Sequence, residues 1–213
     1  MFKIIKKGEN IVIKFFKILI LVIIASLQVG CNNSINKQDD KPIKVKSIKI
    51  DKDYKAQRKN LQLISTSETP LYEQNTTRRN NIKIASNAIN NIIIAPNQEF
   101  SFNKIVGERT VNKGYREAPI FIKTENGTKR GMGVGGGVCQ VSSTVYKSAK
   151  NAGLEILERH PHSKKVFYTE IGDDATVAYP STDLRFRNNR ENEIVIKVEV
   201  EQDKLRVDIL ENK

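Results

Sequence analysis

Four glycines in five positions, GVGGG at 133–137, run directly into a stripe in which Val138, Val141, Val145, Ala149 and Ala152 recur at spacings of three and four. Glycine loses more conformational freedom on ordering than any other residue. A cluster of it before a helical stripe therefore marks backbone that must turn left-handed or approach something closely. The stripe predicts a helix over 138–152, closed by Gly153 as a left-handed cap. Cys139 falls in its first turn. Such a loop can be a phosphate cradle, a tight packing turn, or the seat of a nucleophile.

A phosphate loop needs a Lys-Ser/Thr pair at the helix start, whereas here Gly137 is followed by Val138 and Cys139, and no lysine comes before Lys147. A dinucleotide fingerprint fails as well, because the text that follows is antiparallel-like rather than βαβ. The nucleophile reading has a physical basis. Free N–H groups and the positive end of the helix dipole favour a thiolate in the first turn. The amides of Gly136, Gly137, Val138 and Gln140 are expected to donate to an oxyanion.

A thiolate needs a base, and the chain has two histidines, His160 and His162, both in ERHPHS. Pro161 keeps that segment extended, so the two rings point to opposite faces and one of them is expected to meet Cys139. Asp173, Asp174 or Asp183 could orient the imidazole. Against this stands the plainer reading of a lone cysteine as a small buried hydrophobe and of the histidine segment as a solvated turn. Cys139, His160, His162 and an aspartate lack the paired spacing of zinc motifs, so no metal and no cofactor is expected. Arg109 is a candidate clamp for a carboxylate, and Ser142, Ser143 and Tyr146 are expected to line the substrate path. Gln140 and Ser142 could instead bond the loop backbone.

The formal charge of +12 invites a nucleic-acid reading, but its location argues otherwise. Residues 1–60 carry 14 Lys and Arg against 5 Asp and Glu, and residues 61–213 carry 22 against 19. The globular part has no strong basic field, so no nucleic acid is expected as partner. The basic flank of Lys3, Lys6, Lys7, Lys14 and Lys17 precedes the uncharged run ILILVIIASLQVG at 18–30, the pattern of an export signal. Cys31 follows Leu27-Gln28-Val29-Gly30, which resembles a bacterial lipobox, with Gln28 where that pattern has an aliphatic residue. A lipidated Cys31, an uncleaved anchor or plain secretion all put the body of the protein outside the cytoplasmic membrane, anchored to its outer face in the first two cases. The expected division is a signal or anchor at 1–31, a polar flexible linker at 32–61 and one domain at 62–213. A Lys-Ile alternation at 41–50 offers an edge strand as the alternative within the linker.

Within that domain Ile82, Ala85, Ile89 and Ile92 predict a helix over 79–92. EFSFNKIVG at 99–107 alternates as a strand with Phe100 and Phe102 on one side. Further strands are expected at 118–123, before a turn at 125–127, and at 154–158, 165–168, 175–179 and 184–187. EIVIKVEVEQDKLRVDIL at 193–210 reads as two strands around a turn. The fold class is α+β, two main helices packed on a mostly antiparallel β-sheet, with the cysteine at a helix N-terminus after the Gly-rich loop.

RRNNIKIAS, IAPNQEFSFNKIVGERTVNKGYREAPI, GGGVCQVSSTVY, GLEILERHPHS, DATVAY and DLRFRNN occur in this order between residues 78 and 189, within a resemblance that runs from about residue 64 to 211. This set of blocks resembles the VanW domain, a Gram-positive family named for an accessory gene of glycopeptide-resistance clusters and often found on exported or anchored chains. Some clostridial members are linked to peptidoglycan L,D-transpeptidation through a cysteine. The resemblance implies Cys139 as nucleophile, His162 of the His-Ser pair as base with His160 as the alternative, and Asp174 of the Asp-Ala pair as orienting carboxylate. It implies tetrapeptide stems of peptidoglycan as substrate, with an L,D-carboxypeptidase or a stem-peptide cysteine peptidase, or a non-catalytic wall or glycopeptide-resistance accessory module, as the alternatives. Ser143-Thr144 stands where the family more often has Thr-Thr.

Overall fold

The alternation in IVIKVEV and KLRVDILEN builds an antiparallel hairpin, β8 (Ile194–Val200) and β9 (Lys204–Asn212), around the expected turn. This is a computed structural model, and it describes residues 60–72, 75–125 and 127–213. The expected export segment, Cys31 and the linker through residue 59 lie outside the described residues, as does Asn126 of the 125–127 turn. The described residues belong to one compact unit. Among them no helix is long and apolar enough to cross a membrane.

β1 (Leu61–Pro70) pairs with β9, and β2 (Ile92–Ile94) pairs with β8, giving a four-stranded sheet in the order β1-β9-β8-β2. Helix α1 (Thr76–Ile89) packs on β8, and helix α3 (Val138–Asn151) packs on β1 and β9 and against α1. The buried seam is Ile82, Ala85 and Ile89 from α1, Val141, Val145 and Ala149 from α3, and Ile194, Ile196, Leu205, Val207 and Ile209 from the hairpin. Each of the larger side chains contributes about 1.5–3 kcal/mol by leaving water.

Three findings depart from the expected α+β layout. Its single sheet is three. β3 (Glu99–Ser101), β7 (Arg185–Arg187) and β6 (Glu155–Glu158) form a second sheet, and β4 (Glu117–Thr124) with β5 (Gly127–Val134) forms a separate hairpin, every pair being antiparallel. The first helix ends at Ile89 rather than Ile92, because Asn90 is extended and Asn91 is left-handed at φ 63°, which delivers Ile92 into β2. The strand expected over 99–107 stops at Ser101, and Phe102–Val106 is a third, short helix, α2. Ser101 caps it by accepting the Lys104 N–H at 3.1 Å, and Asp183, distant in sequence, accepts the Asn103 N–H at 2.8 Å. Such caps are worth about 1 kcal/mol, enough to turn a five-residue stretch that propensity leaves ambiguous. Residues 165–168 form no strand, and 175–179 contribute a single bridge from Ala178 to Thr182.

Candidate active site

The Gly-rich loop joins β5 to α3 and owes its composition to packing. A Cβ on Gly136 would lie 2.6 Å from the Ala118 carbonyl oxygen, so only glycine lets these backbones approach. Gly137, the residue before α3, takes φ 105°. Buried Asn81 clamps the loop from α1: its side-chain amide donates to the Arg116 and Gly136 carbonyls at 2.8 and 3.0 Å, and its oxygen accepts the Arg116 N–H at 2.8 Å. Gln140, fully buried, donates to Thr69 Oγ1 at 3.0 Å and to the Pro70 carbonyl at 2.9 Å, and accepts from Arg78 at 2.7 Å.

This bracing sets Cys139 as the second residue of α3, half-buried, with its sulfur 3.6 Å from Thr176 Oγ1 and 3.5 Å from the Val177 carbonyl oxygen. The expectation for the loop amides is corrected in part. The N–H groups of Gly136, Val138 and Gln140 donate to the carbonyls of Gly133, Gly135 and Gly137 at 3.3, 3.1 and 3.0 Å. Those of Gly137 and Cys139 have no backbone acceptor among the described residues, which makes these two the candidates to bond a ligand.

His162 lies near enough to the thiol for each group to shift the ionisation of the other. Its Nδ1 is 2.7 Å from Asp174 Oδ2, which also accepts the His162 backbone N–H at 2.6 Å. Nδ1 being taken, Nε2 is the nitrogen left for sulfur. Arg159 completes the carboxylate, donating to Oδ1 and to the Asp174 carbonyl, each at 2.7 Å. The His162 and Asp174 side chains are 9 % and 8 % exposed, so their interaction is little screened by water.

The electrostatics follow from this arrangement. Burial pushes the Cys139 thiol up, but the nearby His162 and smaller contributions from Val177 and Thr176 together outweigh it and hold the thiol below its ordinary value. Burial pushes His162 down, while the bonds and charges of Cys139 and Asp174 carry it above the usual imidazole range. For Asp174 burial is likewise the largest single effect, upward, and the His162 and Arg159 donors together bring the carboxyl below its usual range. The three groups thus favour a thiolate–imidazolium pair backed by a carboxylate.

The other expected site residues are placed differently. His160 turns away, its Nε2 lying 2.9 Å from Glu158 Oε1. Asp173 pairs with Lys147 and Lys150, and Asp183 braces α2. Ser142 and Ser143 are completely buried and do not line a substrate path. They bond the Cys139 and Ala175 carbonyls, at 3.1 and 2.6 Å for Ser142 and 2.7 and 3.3 Å for Ser143, tying the helix start to the segment that follows Asp174. Tyr146 is buried too, under the Arg159 guanidinium 5.3 Å from its ring centre. Arg109 lies beside the loop, its guanidinium 5.5 Å from the Phe102 ring centre, with Nη1 donating to Asn103 at 2.8 Å and Nη2 buried without an acceptor among the described residues.

Sequence reasoning missed Arg159, Thr176 and Tyr168. The Tyr168 hydroxyl is 3.5 Å from His162 Nε2. Nothing in its local pattern distinguishes it from a core aromatic. Among the described residues no group of three or more His, Cys, Asp or Glu side chains is arranged to hold a metal ion.

A family model described as VanW like protein matches residues 77–210. Over 139 residues the chain is 43% identical to the "Uncharacterized protein YoaR" of Bacillus subtilis (strain 168), covering 63% of this chain and 45% of that one. Over 140 residues it is 28% identical to the "Vancomycin B-type resistance protein VanW" of Enterococcus faecalis (strain ATCC 700802 / V583), covering 63% and 49%. The chain thus spans about half the length of these curated relatives. No solved structure matches it significantly.

Proposed function

The chain belongs to the VanW-like family, and from that premise we propose that it is a cysteine-dependent acyltransferase of peptidoglycan, an L,D-transpeptidase that forms 3-3 cross-links. The observation that carries this reading is the grouping of Cys139, His162 and Asp174, in which Asp174 bonds Nδ1 at 2.7 Å and Nε2 is the ring nitrogen left for the nearby thiol. The resistance name of the enterococcal relative supports a cell-wall setting. The proposed location is the outer face of the membrane, with 1–31 as export signal or anchor and Cys31 as the lipidated residue.

In this reading the Cys139 thiolate attacks the carbonyl carbon of the third stem residue of a tetrapeptide donor. The carbonyl π bond opens, and the resulting oxyanion takes hydrogen bonds from the Gly137 and Cys139 amides. As the C–N bond breaks, Nε2–H of His162 gives its proton to the departing D-alanine amine. The side-chain amine of an acceptor stem then loses a proton to Nε2 as it attacks the thioester, the C–S bond breaks, and the thiolate returns. Cysteine suits both halves, because a thiolate is a strong nucleophile near neutral pH and its thioester is open to amines. With water in place of the amine the same steps give an L,D-carboxypeptidase.

The test is incubation of the full chain with purified disaccharide-tetrapeptides, followed by mass spectrometry. Loss of D-alanine together with dimer formation, both abolished by Cys139→Ala, is the expected result. Loss of D-alanine without dimers points to the carboxypeptidase. Products unaffected by the substitution overturn the cysteine mechanism.

A further inference from the structure

Two aromatic rings stand on the surface beside the candidate site and take no part in the chemistry above. Tyr72 is 73 % exposed and Phe167 49 %, and their ring centres lie 6.4 Å apart with the planes at 45°. Neither exposure comes from loose chain. Leu71, before Tyr72, is buried, and its N–H donates to the Asp203 carbonyl at 2.6 Å. Val166 and Tyr168, on either side of Phe167, are both buried. A neighbouring pair of exposed rings on braced backbone is the kind of surface that meets a ligand or a partner.

Both rings are held in register with the reacting groups. Phe167 meets Tyr168 at 82° with centres 5.4 Å apart, and Tyr168 meets His162 at 83° with centres 6.4 Å apart. Two ring-to-ring steps therefore separate Phe167 from the imidazole. A second connection runs to the start of α3. The Arg78 guanidinium lies 5.4 Å from the Phe167 ring centre and donates at 2.7 Å to Gln140, the residue after Cys139. Gln140 in turn donates at 2.9 Å to the carbonyl of Pro70, which precedes Leu71 and Tyr72.

We propose that Tyr72 and Phe167 form a platform for a pyranose ring of the glycan strand that carries the donor stem. The inference rests on the reading of the site as a peptidoglycan transpeptidase and adds its sugar subsite. The axial C–H groups of a β-linked pyranose carry slight positive charge and meet the negative face of an aromatic ring, while the tyrosine hydroxyl stays beside the polar edge of the sugar. The distance agrees with the stem. With the carbonyl of the third residue at the sulfur, three extended residues, roughly 10 Å, reach back to the sugar. The two ring-to-ring steps from His162 to Phe167 cover a comparable length. A nucleobase would stack as well, but residues 61–213, with 22 Lys and Arg against 19 Asp and Glu, lack the basic field that nucleic acid requires.

The test reads binding in the full Cys139→Ala chain, which cannot turn its ligand over, held in phosphatidylglycerol nanodiscs. Titration calorimetry compares a disaccharide-tetrapeptide with the free tetrapeptide. The disaccharide form is expected to bind roughly threefold to tenfold more tightly. Tyr72→Ala should remove most of that preference and leave the affinity for the free tetrapeptide unchanged. Tyr72→Phe, which keeps the ring, should retain the preference, and Phe167→Leu should reduce it as Tyr72→Ala does. Equal weakening of both ligands by Tyr72→Ala assigns the rings to the peptide and overturns the inference. So does the absence of any preference before the ring substitutions, the result if the rings rest on the bilayer. Because no turnover is needed, the sugar preference can be found in a chain that forms no cross-links, and it can be absent while the unaltered chain forms them.

Discussion

One oxygen of Asp174 fixes two parts of His162: Oδ2 lies 2.7 Å from the ring Nδ1 and accepts the backbone N–H of the same residue at 2.6 Å. The carboxylate therefore sets the tautomer, the ring plane and the position of the segment that carries the ring. Its other oxygen is held by Arg159 at 2.7 Å, so it cannot swing away.

Asp174→Asn keeps the shape and removes the charge that stabilises the imidazolium. Loss of transferase turnover on the order of 10³–10⁴-fold is expected, the scale for losing the orienting carboxylate of such a triad. Alkylation of Cys139 by iodoacetamide at neutral pH should slow as well, because the thiolate loses its imidazolium partner. Mass spectrometry of the alkylated chain checks this without any substrate, and an unchanged rate would mean that Asp174 plays no part in activating the sulfur.

Acid should unfold the domain partly through the same carboxyl. Asp174 sits below its unfolded value of about 3.9 when folded. Its stabilisation is therefore present above that value and is lost as pH falls through the depressed folded one. His162 has the opposite sign: raised on folding, it stabilises fully below about pH 6.5 and stops doing so as pH rises through its folded value. Thermal midpoints followed by circular dichroism should decline below about pH 4 less steeply in Asp174→Asn than in the parent. Identical acid limbs would refute the linkage.

Some of this was legible in the residues, and the rest was hidden for identifiable reasons. The α3 stripe and the 193–210 alternation are periodic apolar patterns, and both elements form with the expected faces inward. β1 went unread because its buried residues are Ser65, Ser67 and Thr69. They meet α3 through hydroxyls, Ser65 to Ser148 at 3.2 Å and Thr69 to Thr144 at 2.8 Å, so no hydrophobic alternation announces the strand. Phe102 looked like a strand residue because its helix is capped by Asp183, which no local window includes. In the site, the lone cysteine and paired histidines were conspicuous by rarity. The inward turn of Ser142 and Ser143, and the approach of Tyr168 to Nε2, depend on how the 159–176 segment folds over the start of α3, which carries no periodic signal.

The hydroxyl seam gives a stability prediction. Thr69 Oγ1 accepts from Gln140 at 3.0 Å and shares a hydrogen bond with Thr144, and the residue is 1 % exposed. Thr69→Val preserves volume but leaves buried polar partners short of a bond, which costs about 1–3 kcal/mol. Urea unfolding should show a lower midpoint with an unchanged slope. Thr66→Val, on the exposed face of the same strand, where the hydroxyl bonds Asp208 at 2.6 Å, should change stability much less.

Gly136 is expected to tolerate no side chain. A Cβ there meets the Ala118 and Pro119 carbonyl oxygens at 2.6 and 2.8 Å, both backbone atoms that cannot rotate aside. Gly136→Ala should therefore destabilise the domain by about 2 kcal/mol or more and disturb the Cys139 amide that the loop presents. Wild-type stability by chemical denaturation would show that the β4 backbone yields more readily than the geometry suggests.

Arg109 sets stability against reactivity. Among the described residues its Nη2 is buried without an acceptor, its Nη1 bonds the neutral Asn103, and it forms no ion pair with a carboxylate. The strongest electrostatic attraction on it comes from the Cys139 sulfur. A half-buried cation with no paired carboxylate is a cost to folding, and a hydrophobic replacement of similar length is often neutral or stabilising. Arg109→Met keeps a stem to pack on Phe102 and Gly135 while removing that charge. The thermal midpoint should hold or rise. The thiolate loses a nearby positive charge, so the pH at which Cys139 ionises, read from thiolate absorbance or from the alkylation rate, should move upward. Both readings follow from one charge, and a variant that loses stability with no change in thiol ionisation would show that Arg109 serves the packing of α2 rather than the sulfur.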